Sequence, residues 1–385
     1  MKLLIISHTP HYQSQAGVVG WGPTVREVDQ LATLFETVVH LAPLHNAPPP
    51  ESALPYTAEN VHLHTVKPAG GNNFMDKLNI LVRLLDWLGA MRKAMQQADA
   101  IHIRCPAGIS LIALLVAWIW LKGKPVWVKY AGNWYSHPGQ AMSYKFQRWF
   151  LRSHLHDWAI TINGQWENQP HNIISFINPS FSETEYQTAL KIAKCKQLAS
   201  PLKLLFVGNL THAKGIHHVL NIANFLLQKN VNFDLTLVGD GLKRAEFENY
   251  VEENKLGKNV HFAGWQPKTE LGYFYQAAHF ILLPSTSEGW PKVLSEAMSY
   301  GVVPLASTVS CIPQILHATG AGMAIPEEDT EAYVDAILAY TRNRTAWQQA
   351  SRNGTEAAQH FTFEAYLKDV KQLFSGKWQI ELNHG

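Results

Sequence analysis

The sequence predicts an α/β protein with two domains, each built around a parallel sheet. Short apolar segments typical of buried strands alternate with longer amphipathic segments typical of helices along the 385 residues. Such alternation predicts parallel strands with helices packed on the sheet faces. The polar segment 182–201 interrupts the pattern, which resumes at Leu202. We therefore expect two Rossmann-like domains facing a cleft, at 1–181 and 202–360, with 182–201 as a linker that contains a short helix.

The first domain is predicted to begin with a strand at Leu3–Ser7, whose apolar run is too short for a signal peptide. Helices are predicted at Pro23–Phe35 and Met75–Gln96. The apolar segment 109–121 is shorter than the ~20 residues that span a bilayer, so we expect a buried helix there. The remaining strands are predicted at Val38–Leu41, Val61–Thr65, Ala100–Ile103, Val126–Tyr130, Ala159–Thr161 and Ile173–Phe176.

The second domain repeats the alternation. Its strands are predicted at Leu204–Val207, Leu235–Val238, Val260–Phe262, Phe280–Leu283 and Val302–Leu305. Its helices are predicted at Ile216–Gln228, Leu242–Asn254, Lys268–Ala278 and Lys292–Tyr300. A closing helix is predicted at Phe361–Phe374, within a C-terminal segment 361–385.

Composition narrows the function classes. The formal net charge is +2, so no global field selects nucleic acid as a partner. Cys105, Cys195 and Cys311 are far apart, with no C-x-x-C pair and no His/Cys cluster. This spacing indicates a reducing, cytoplasmic compartment with neither disulfides nor a zinc site. The sequence contains no Asp-x-Asp pair, so no motif points to a bound divalent cation.

Two glutamates flank a predicted strand-to-helix junction. Phe280–Leu283 runs into a polar turn with Glu288, and Pro291 stands where a helix is expected to begin. Glu296 follows beside the apolar stripe of that helix, so we expect hydroxyl or cationic partners for its carboxylate. Ligands of open α/β sheets bind at this edge, and a helix N-terminus there attracts phosphate. The pattern suggests a site for a phosphorylated, hydroxyl-rich ligand. The simpler alternative is that one glutamate caps the turn and the other is a solvated residue of the helix.

Further loops are predicted at the same edge. Lys214 lies in the turn Gly208–Gly215 and could neutralise a diphosphate, although a lone lysine is more often a surface residue. Gly239 and Gly264 end the next two strands. Trp265 could stack on the nucleobase of a ligand or simply pack within the protein, which is the more common case. No G-x-G-x-x-G pattern follows a strand, which argues against a dinucleotide site.

In the first domain, Gly17, Gly20 and Gly22 predict a loop that leads into a helix. Such a loop lies at the ligand edge of this architecture and could approach a phosphate or an acceptor sugar. The alternative is a flexible surface loop. His137 is a candidate acid or base.

Residues 142–158 mix basic and aromatic side chains on a predicted helix. Lys145, Arg148 and Arg152 alternate with Tyr, Phe and Trp, a pattern that suits an anionic membrane surface. Packing on the domain is the more common role of an amphipathic helix. Contact with the inner face of the cytoplasmic membrane is therefore a hypothesis beside that simpler one.

These motifs resemble those of the retaining glycosyltransferases of family 4, which have the two-domain GT-B fold. Glu288 and Glu296 match the Glu-x7-Glu motif, which is followed by Ala-Met-x-x-Gly, and Gly208 to Gly215 matches the Gly-x5-Lys-Gly element. The match covers Leu202–Ser307, about a quarter of the chain. The first half fits the family by architecture more than by motif.

The resemblance implies transfer from a UDP- or GDP-linked sugar, with retention of configuration and without a metal or other cofactor. Glu296 would hold the ribose hydroxyls, Glu288 would contact the sugar, and Lys214 would stabilise the departing diphosphate. The implied donor-binding residues are Asn209, Lys214, Gly239, Gly264, Trp265, Glu288, Gly289, Trp290, Val293, Leu294 and Glu296. Gly289 and Trp290 would contribute backbone groups to the sugar, and Val293 and Leu294 backbone N–H groups to the diphosphate.

The resemblance also assigns the first domain to the acceptor, near Gly17–Gly22. Closure of the two domains would exclude water. The segment 361–385 would cross back toward the first domain.

Three positions depart from the family pattern. Asn209 replaces an arginine, which removes a positive charge that Lys292, Lys243 or Arg244 could restore. Gly-Trp-Pro replaces Gly-Phe-Gly after Glu288 and removes one N–H donor. A histidine often follows a strand of the first domain, whereas here Ala131-Gly-Asn-Trp134 follows, so Asn133 becomes a candidate sugar contact.

The leading hypothesis is a glycosyltransferase that acts on a saccharide or lipid-linked acceptor in cell-surface polysaccharide or glycolipid synthesis. A donor-binding scaffold without transfer and a GT-B-type sugar-nucleotide epimerase are the alternatives. A Rossmann oxidoreductase is the least supported class. The sequence leaves the sugar, the base, the acceptor and the linkage open.

Overall fold

A computed structural model describes residues 1–15, 17–69, 74–135 and 140–383, with only the backbone of 74–82. The chain divides into two compact units. The first contains Met1–Phe176 and Leu367–Gly385, and the second contains Ile177–Tyr366. None of the described helices combines the length and the apolar composition that a bilayer-spanning segment needs.

The first unit alternates strands and helices, as predicted. Its strands are β1 (Lys2–Ile6), β2 (His11–Ser14), β3 (Gly17–Trp21), β4 (Thr37–His45), β5 (Ala53–Pro55), β6 (Val61–Val66), β7 (Ala100–Cys105), β8 (Val126–Tyr130), β9 (Ala159–Ile162) and β10 (Ile173–Ser175). Its first helices are α1 (Gly22–Ala32), α2 (Phe74–Gln97), α3 (Gly108–Trp120) and α4 (Met142–Arg152).

These described strands form one mixed sheet in the order β10-β9-β8-β7-β1-β4-β2-β3-β5, with β6 also paired to β4. The strands from β10 to β4 run parallel. Strands β1, β8 and β9 are buried along nearly their whole length. Continuous apolar strands of this kind are expected where helices cover both faces of a parallel sheet.

Gly17–Gly22 is not the loop that the sequence predicts. Gly17–Trp21 forms β3, which pairs antiparallel with β2 and β5, and Gly22 begins α1. The N–H of Gly22 donates to Ser52 O at 3.0 Å. Sequence patterning missed this hairpin because glycine has a low strand propensity, and the pairing that holds β3 comes partly from a distant segment.

Helix α3 is buried only along part of its length. Residues such as Leu114 and Ala117 are fully buried, but Trp118, Ile119 and Trp120 are exposed. The prediction of a buried helix at 109–121 is therefore wrong for its last turn, because uniform apolar composition carries no information about which turn leaves the core.

The second unit contains a six-stranded parallel sheet in the order β13-β12-β11-β14-β15-β16. The strands are β11 (Leu202–Val207), β12 (Phe233–Val238), β13 (Val260–Gly264), β14 (Phe280–Leu283), β15 (Val303–Ser307) and β16 (Met323–Ile325). The helices are α5 (Glu183–Ala193), α6 (Ile216–Gln228), α7 (Arg244–Glu253), α8 (Lys268–Ala277), α9 (Lys292–Ser299), α10 (Ile312–Thr319), α11 (Thr330–Arg342) and α12 (Arg344–Ala358).

Residues 182–201, predicted to be a linker with a short helix, lie inside the second unit, and the predicted helix is α5. Ser182 and Glu185 form a capping box that starts α5, with Ser182 Oγ accepting from Glu185 N at 3.2 Å. Lys196 Nζ then donates to three carbonyls at the end of α8, those of Tyr275, Gln276 and Ala278. These contacts anchor a segment whose polar composition resembles a linker.

The chain returns to the first unit through its last helix, α13 (Phe363–Trp378). The unit boundary falls at Tyr366/Leu367, inside this helix, whereas the sequence placed it at 360/361. Phe374 is fully buried and its ring lies 5.7 Å from that of Phe35 and 6.4 Å from that of Trp127. The end of the chain thus completes the core of the first unit.

Candidate functional site

Lys214 and Glu288, 74 residues apart, meet at the carboxyl edge of the second sheet. Lys214 follows β11 and Glu288 follows β14, which are neighbouring strands. Lys214 Nζ lies 2.6 Å from Glu288 Oε1. The glutamate side chain is nearly buried, whereas that of the lysine is about one-third exposed. A cation open to solvent and held by a carboxylate can bind an incoming anion.

The two loops that carry this pair are joined through their backbones. Thr286 N donates to Ala213 O at 3.0 Å. Gly215 has a φ of 75°, and a Cβ there would collide with the carbonyl of Pro284. Only glycine therefore allows the loops to approach this closely.

The ends of β11, β12 and β13 form a row of glycines at the same edge. Gly208 N donates to Val238 O at 3.0 Å, and Gly239 N donates to Gly264 O at 2.8 Å. Gly239 has a φ of 132°, and a Cβ there would strike the carbonyl of Gly208. This side-chain-free edge leaves room for a ligand to lie along the backbone.

Glu296 on α9 is nearly buried and has one cationic and one hydroxyl partner, the two kinds expected from the sequence. Lys268 Nζ donates to its Oε1 at 2.6 Å, and Tyr275 Oη donates to its Oε2 at 2.9 Å. Burial, and then the neighbouring carboxylate, raises the pKa of Tyr275 well above its usual value, so the phenol keeps its proton. Glu296 is thereby held as an oriented acceptor.

Sequence reasoning missed Lys268 and Tyr275. They lie seven residues apart on α8, which places them on the same face, two turns apart. Lys268 begins the helix directly after Pro267, at the end of the segment that follows β13. A cation and a hydroxyl at this spacing, just beyond a strand end, were the available signal. Lys268 Nζ also donates to Ser180 O at 2.6 Å, which fixes its position.

Gly289 and Trp290 have partners within the protein. The Trp290 ring is buried and stacks on Phe361, with 5.0 Å between the ring centroids. The carbonyl of Gly289 accepts from Cys311 Sγ at 3.5 Å. The Gly-Trp-Pro departure thus places a packing residue after Glu288, and sugar contacts there are restricted to backbone groups.

The start of α9 offers fewer donors than predicted. Leu294 N donates to Pro291 O at 3.0 Å, so this N–H already has a partner. Val293 lies one position earlier, at the helix start. The first turn of α9 therefore offers the N–H of Val293, and not that of Leu294, for a phosphate contact.

The residues near Asn209 were candidates to replace the missing arginine. Asn209 is exposed after β11. Lys243 lies 2.9 Å from Glu246, and Arg244 lies 2.7 Å from Glu248 and 3.4 Å from Asp240. Both cations already have acidic partners, so a diphosphate would have to compete for them. Trp265, directly after Gly264, is more than one-third exposed and accessible for stacking.

The candidates in the first unit are described separately. Gly17, Gly20 and Gly22 belong to the hairpin and the start of α1. Asn133 is half-buried after β8, and its Oδ1 accepts from Tyr135 N at 3.0 Å. His137 lies outside the described residues. Among the residues that are described, no three His, Cys, Asp or Glu side chains form a group that could hold a metal ion.

Comparison with known proteins identifies this half of the chain. Residues 191–360 match the family model of glycosyl transferases group 1. This segment is a group 1 glycosyltransferase domain. It contains Lys214, Glu288, Glu296, Lys268 and the glycine edge, so the whole site described above belongs to it.

Curated relatives match part of this chain. A protein of Escherichia coli provisionally named as the colanic acid biosynthesis glycosyltransferase WcaL is 29% identical over 153 residues, which are 38% of each chain. The alignments with the first curated relatives span less than half of those relatives' length. The activities of these relatives are therefore not assigned to this chain on the basis of the alignments.

Solved structures match the whole chain. Sucrose-phosphate synthase from Thermosynechococcus elongatus covers 98% of it with a TM-score of 0.70 and 18% identity. Anabaena HepE in complex with UDP and glucose covers 97% with a TM-score of 0.69 and 15% identity. At these identities the similarity concerns the fold alone, and it confirms the predicted GT-B fold.

Proposed function

We propose that the protein transfers a sugar from a nucleoside diphosphate sugar to a saccharide or lipid-linked acceptor. The main support for the proposal is the ion pair between Lys214 Nζ and Glu288 Oε1, 2.6 Å apart. This pair lies at the same sheet edge as the row of glycines that ends β11, β12 and β13. The site lies in a group 1 glycosyltransferase domain. HepE was crystallised with UDP and glucose, which supports a donor of this class.

Each charged group of the site has a role in this reaction. Lys214 would exchange Glu288 for the diphosphate and stabilise the charge that develops as the C1–O bond breaks. The bond's electron pair leaves with the nucleoside diphosphate, and the acceptor hydroxyl oxygen bonds to C1 while its proton is released. Glu288, freed from Lys214, would face the sugar. Glu296, held by Lys268 and Tyr275, would accept the ribose hydroxyls.

The finer assignment is retention of configuration without a metal, with UDP or GDP as the leaving group and a product in cell-surface polysaccharide or glycolipid. The name of the Escherichia coli relative supports a role in polysaccharide synthesis. The positive charge of Lys214 and the backbone N–H donor at the start of α9 support a diphosphate site that needs no metal ion.

The test is a panel of UDP- and GDP-linked sugars with EDTA present, read by thermal stabilisation and nucleotide release. One donor should stabilise the protein and be consumed, and Lys214→Met should slow its turnover by about a hundred- to a thousandfold. Lys203→Met is the matched control, because Lys203 lies at the opposite end of β11 and also pairs with a carboxylate, Asp234, at 2.6 Å. That variant should turn over normally.

The alternatives give different results in the same panel. A scaffold would bind a donor without releasing nucleotide, even when acceptors are supplied. An epimerase would convert the donor sugar with no release. Stabilisation by no donor at all would overturn the proposal.

A further inference from the structure

The outward face of α4 is apolar. Met142, Phe146 and Trp149 lie three to four residues apart, on one face of the helix, and all three are exposed, Met142 by 75% and Trp149 by 59%. The rings of Phe146 and Trp149 are 5.4 Å apart. In a water-facing helix this stripe would carry the polar residues.

The inward face of the same helix combines two buried apolar side chains, Phe150 and Leu151, with two buried polar ones. Gln147 is fully buried, with its amide nitrogen donating to Ala107 O at 3.2 Å. Arg148 is nearly buried and its guanidinium donates to Tyr130 Oη at 3.1 Å. Arg148 is thus excluded from the basic surface that the sequence suggested. The large apolar side chains on the other face are not needed for the core.

The end of α3 is also apolar and exposed. Trp118, Ile119 and Trp120 are all exposed, and the Trp118 ring lies 6.0 Å from that of Phe150 on α4. Trp118 Nε1 donates to Leu155 O at 3.1 Å, which satisfies the polar atom of the indole. We call the exposed residues Trp118, Ile119, Trp120, Met142, Phe146, Trp149 and Leu155 the tryptophan face.

The exposed charges of the chain segment that carries the tryptophan face are positive. No Asp or Glu occurs between Asp99 and Asp157, whereas Lys122, Lys145 and Arg152 in that interval are exposed. The guanidinium of Arg92 lies 5.7 Å from the Trp120 ring centroid. Asp157, at the border, is neutralised by Lys377 Nζ at 2.5 Å.

We propose that the tryptophan face docks on the surface of an anionic lipid bilayer. Tryptophan rings and long apolar side chains insert at the level of the lipid headgroups, and basic side chains at the rim bind the lipid phosphates. A second copy of the chain would bring the same positive rim against itself, so charge complementarity favours the bilayer over self-association. The inference concerns the first unit and does not depend on transferase activity.

The experiment is flotation of the full chain with phosphatidylcholine vesicles that contain about 30% phosphatidylglycerol. The protein should float with these vesicles at low salt, less with pure phosphatidylcholine, and less at about 0.5 M NaCl. Replacing Met142, Phe146 and Trp149 together with Ser should lower the partition constant at least about tenfold. Lys145→Glu combined with Arg152→Glu should weaken binding to the anionic vesicles and leave binding to pure phosphatidylcholine unchanged.

The matched control replaces Tyr273, which is 70% exposed in the second unit, with Ser, together with Lys258→Glu. It should float like the unaltered protein. Because the substituted side chains are exposed, thermal midpoints should stay unchanged, which separates lost binding from misfolding. Absence from the vesicle fraction at low salt, equal flotation of the triple variant, or a dimer in sedimentation that the triple variant abolishes would overturn the proposal. The nucleotide-sugar panel is read independently, so either proposal can fail alone.

Discussion

At the scale of residues, the proposed donor site consists of two lysine–glutamate pairs. Glu288 is neutralised by Lys214, and Glu296 by Lys268, in each case at 2.6 Å. The pairs differ in their surroundings: Glu296 has a further bond from the buried Tyr275, whereas Glu288 has none among the hydrogen bonds that the described part of the chain gives it. We infer that the first pair opens for a ligand and the second is a fixed acceptor.

The fixed-acceptor role predicts the effect of Tyr275→Phe. Loss of the hydroxyl removes one bond that orients Glu296 but keeps the buried ring. The dissociation constant for whichever of UDP and GDP binds should rise about ten- to a hundredfold, since a hydrogen bond to a charged group contributes about 1.5–3 kcal/mol. Calorimetric titration measures it.

The 2′,3′-dideoxy form of the same nucleotide serves as the control ligand. It has no ribose hydroxyl for Glu296 to hold, so the substitution should leave its affinity unchanged. An equal loss for both ligands would mean that Tyr275 supports only the local packing.

At the scale of elements, the hairpin β2–β3 is fixed by a buried histidine. Burial lowers the pKa of His11 to about 4, so the ring is neutral at pH 7. Its Nδ1 lies 2.9 Å from Thr9 O and donates to it, and its Nε2 accepts from Tyr56 Oη at 2.8 Å. The ring therefore cannot move without losing one of these bonds. It lies directly against Gly20 of the paired strand.

This contact predicts that Gly20→Ala destabilises the first unit. A Cβ at this position would lie 2.7 Å from two atoms of the His11 ring. The expected loss is about 1–3 kcal/mol of unfolding free energy, measured by urea denaturation.

Gly89→Ala is the matched control in the same unit. It lies inside α2, where an added Cβ meets no atom within 4 Å, so the change should stabilise the helix by up to about 1 kcal/mol. The same sign for both substitutions would contradict the assigned contact.

At the scale of the whole molecule, the first unit is built from two segments that are far apart in the sequence. Residues from Leu367 onward join Met1–Phe176, so folding of the first unit needs a segment made after the second. The fully buried ring of Phe374 helps to anchor this segment and packs near the rings of Phe35, Trp127 and Trp378.

Phe374→Ala should therefore destabilise the first unit by about 3–5 kcal/mol. Calorimetry should show the transition of that unit at a lower temperature, with donor-dependent stabilisation of the second unit retained. Gln372→Ala, at an exposed position of the same helix, should change neither transition. A uniform shift of both transitions would mean that the units unfold as one.

The sequence by itself determined the features that local pattern encodes. The alternation of apolar strands and amphipathic helices predicted the parallel sheet of the second unit and the parallel part, β10 to β4, of the first, and the motif spacing placed Lys214 and Glu288 at one edge. Both predictions rest on a general property of α/β folds: the carboxyl ends of neighbouring parallel strands converge.

Only the tertiary structure decided the features that depend on distant partners. The hairpin at Gly17 needs β5, the segment 182–201 is held by the end of α8, and Glu296 is held by Lys268 and Tyr275. The exposure of Trp118 and the burial of Arg148 likewise follow from where α3 and α4 pack. Composition and periodicity say which face of a helix is apolar, but the free energy of packing selects which face is buried.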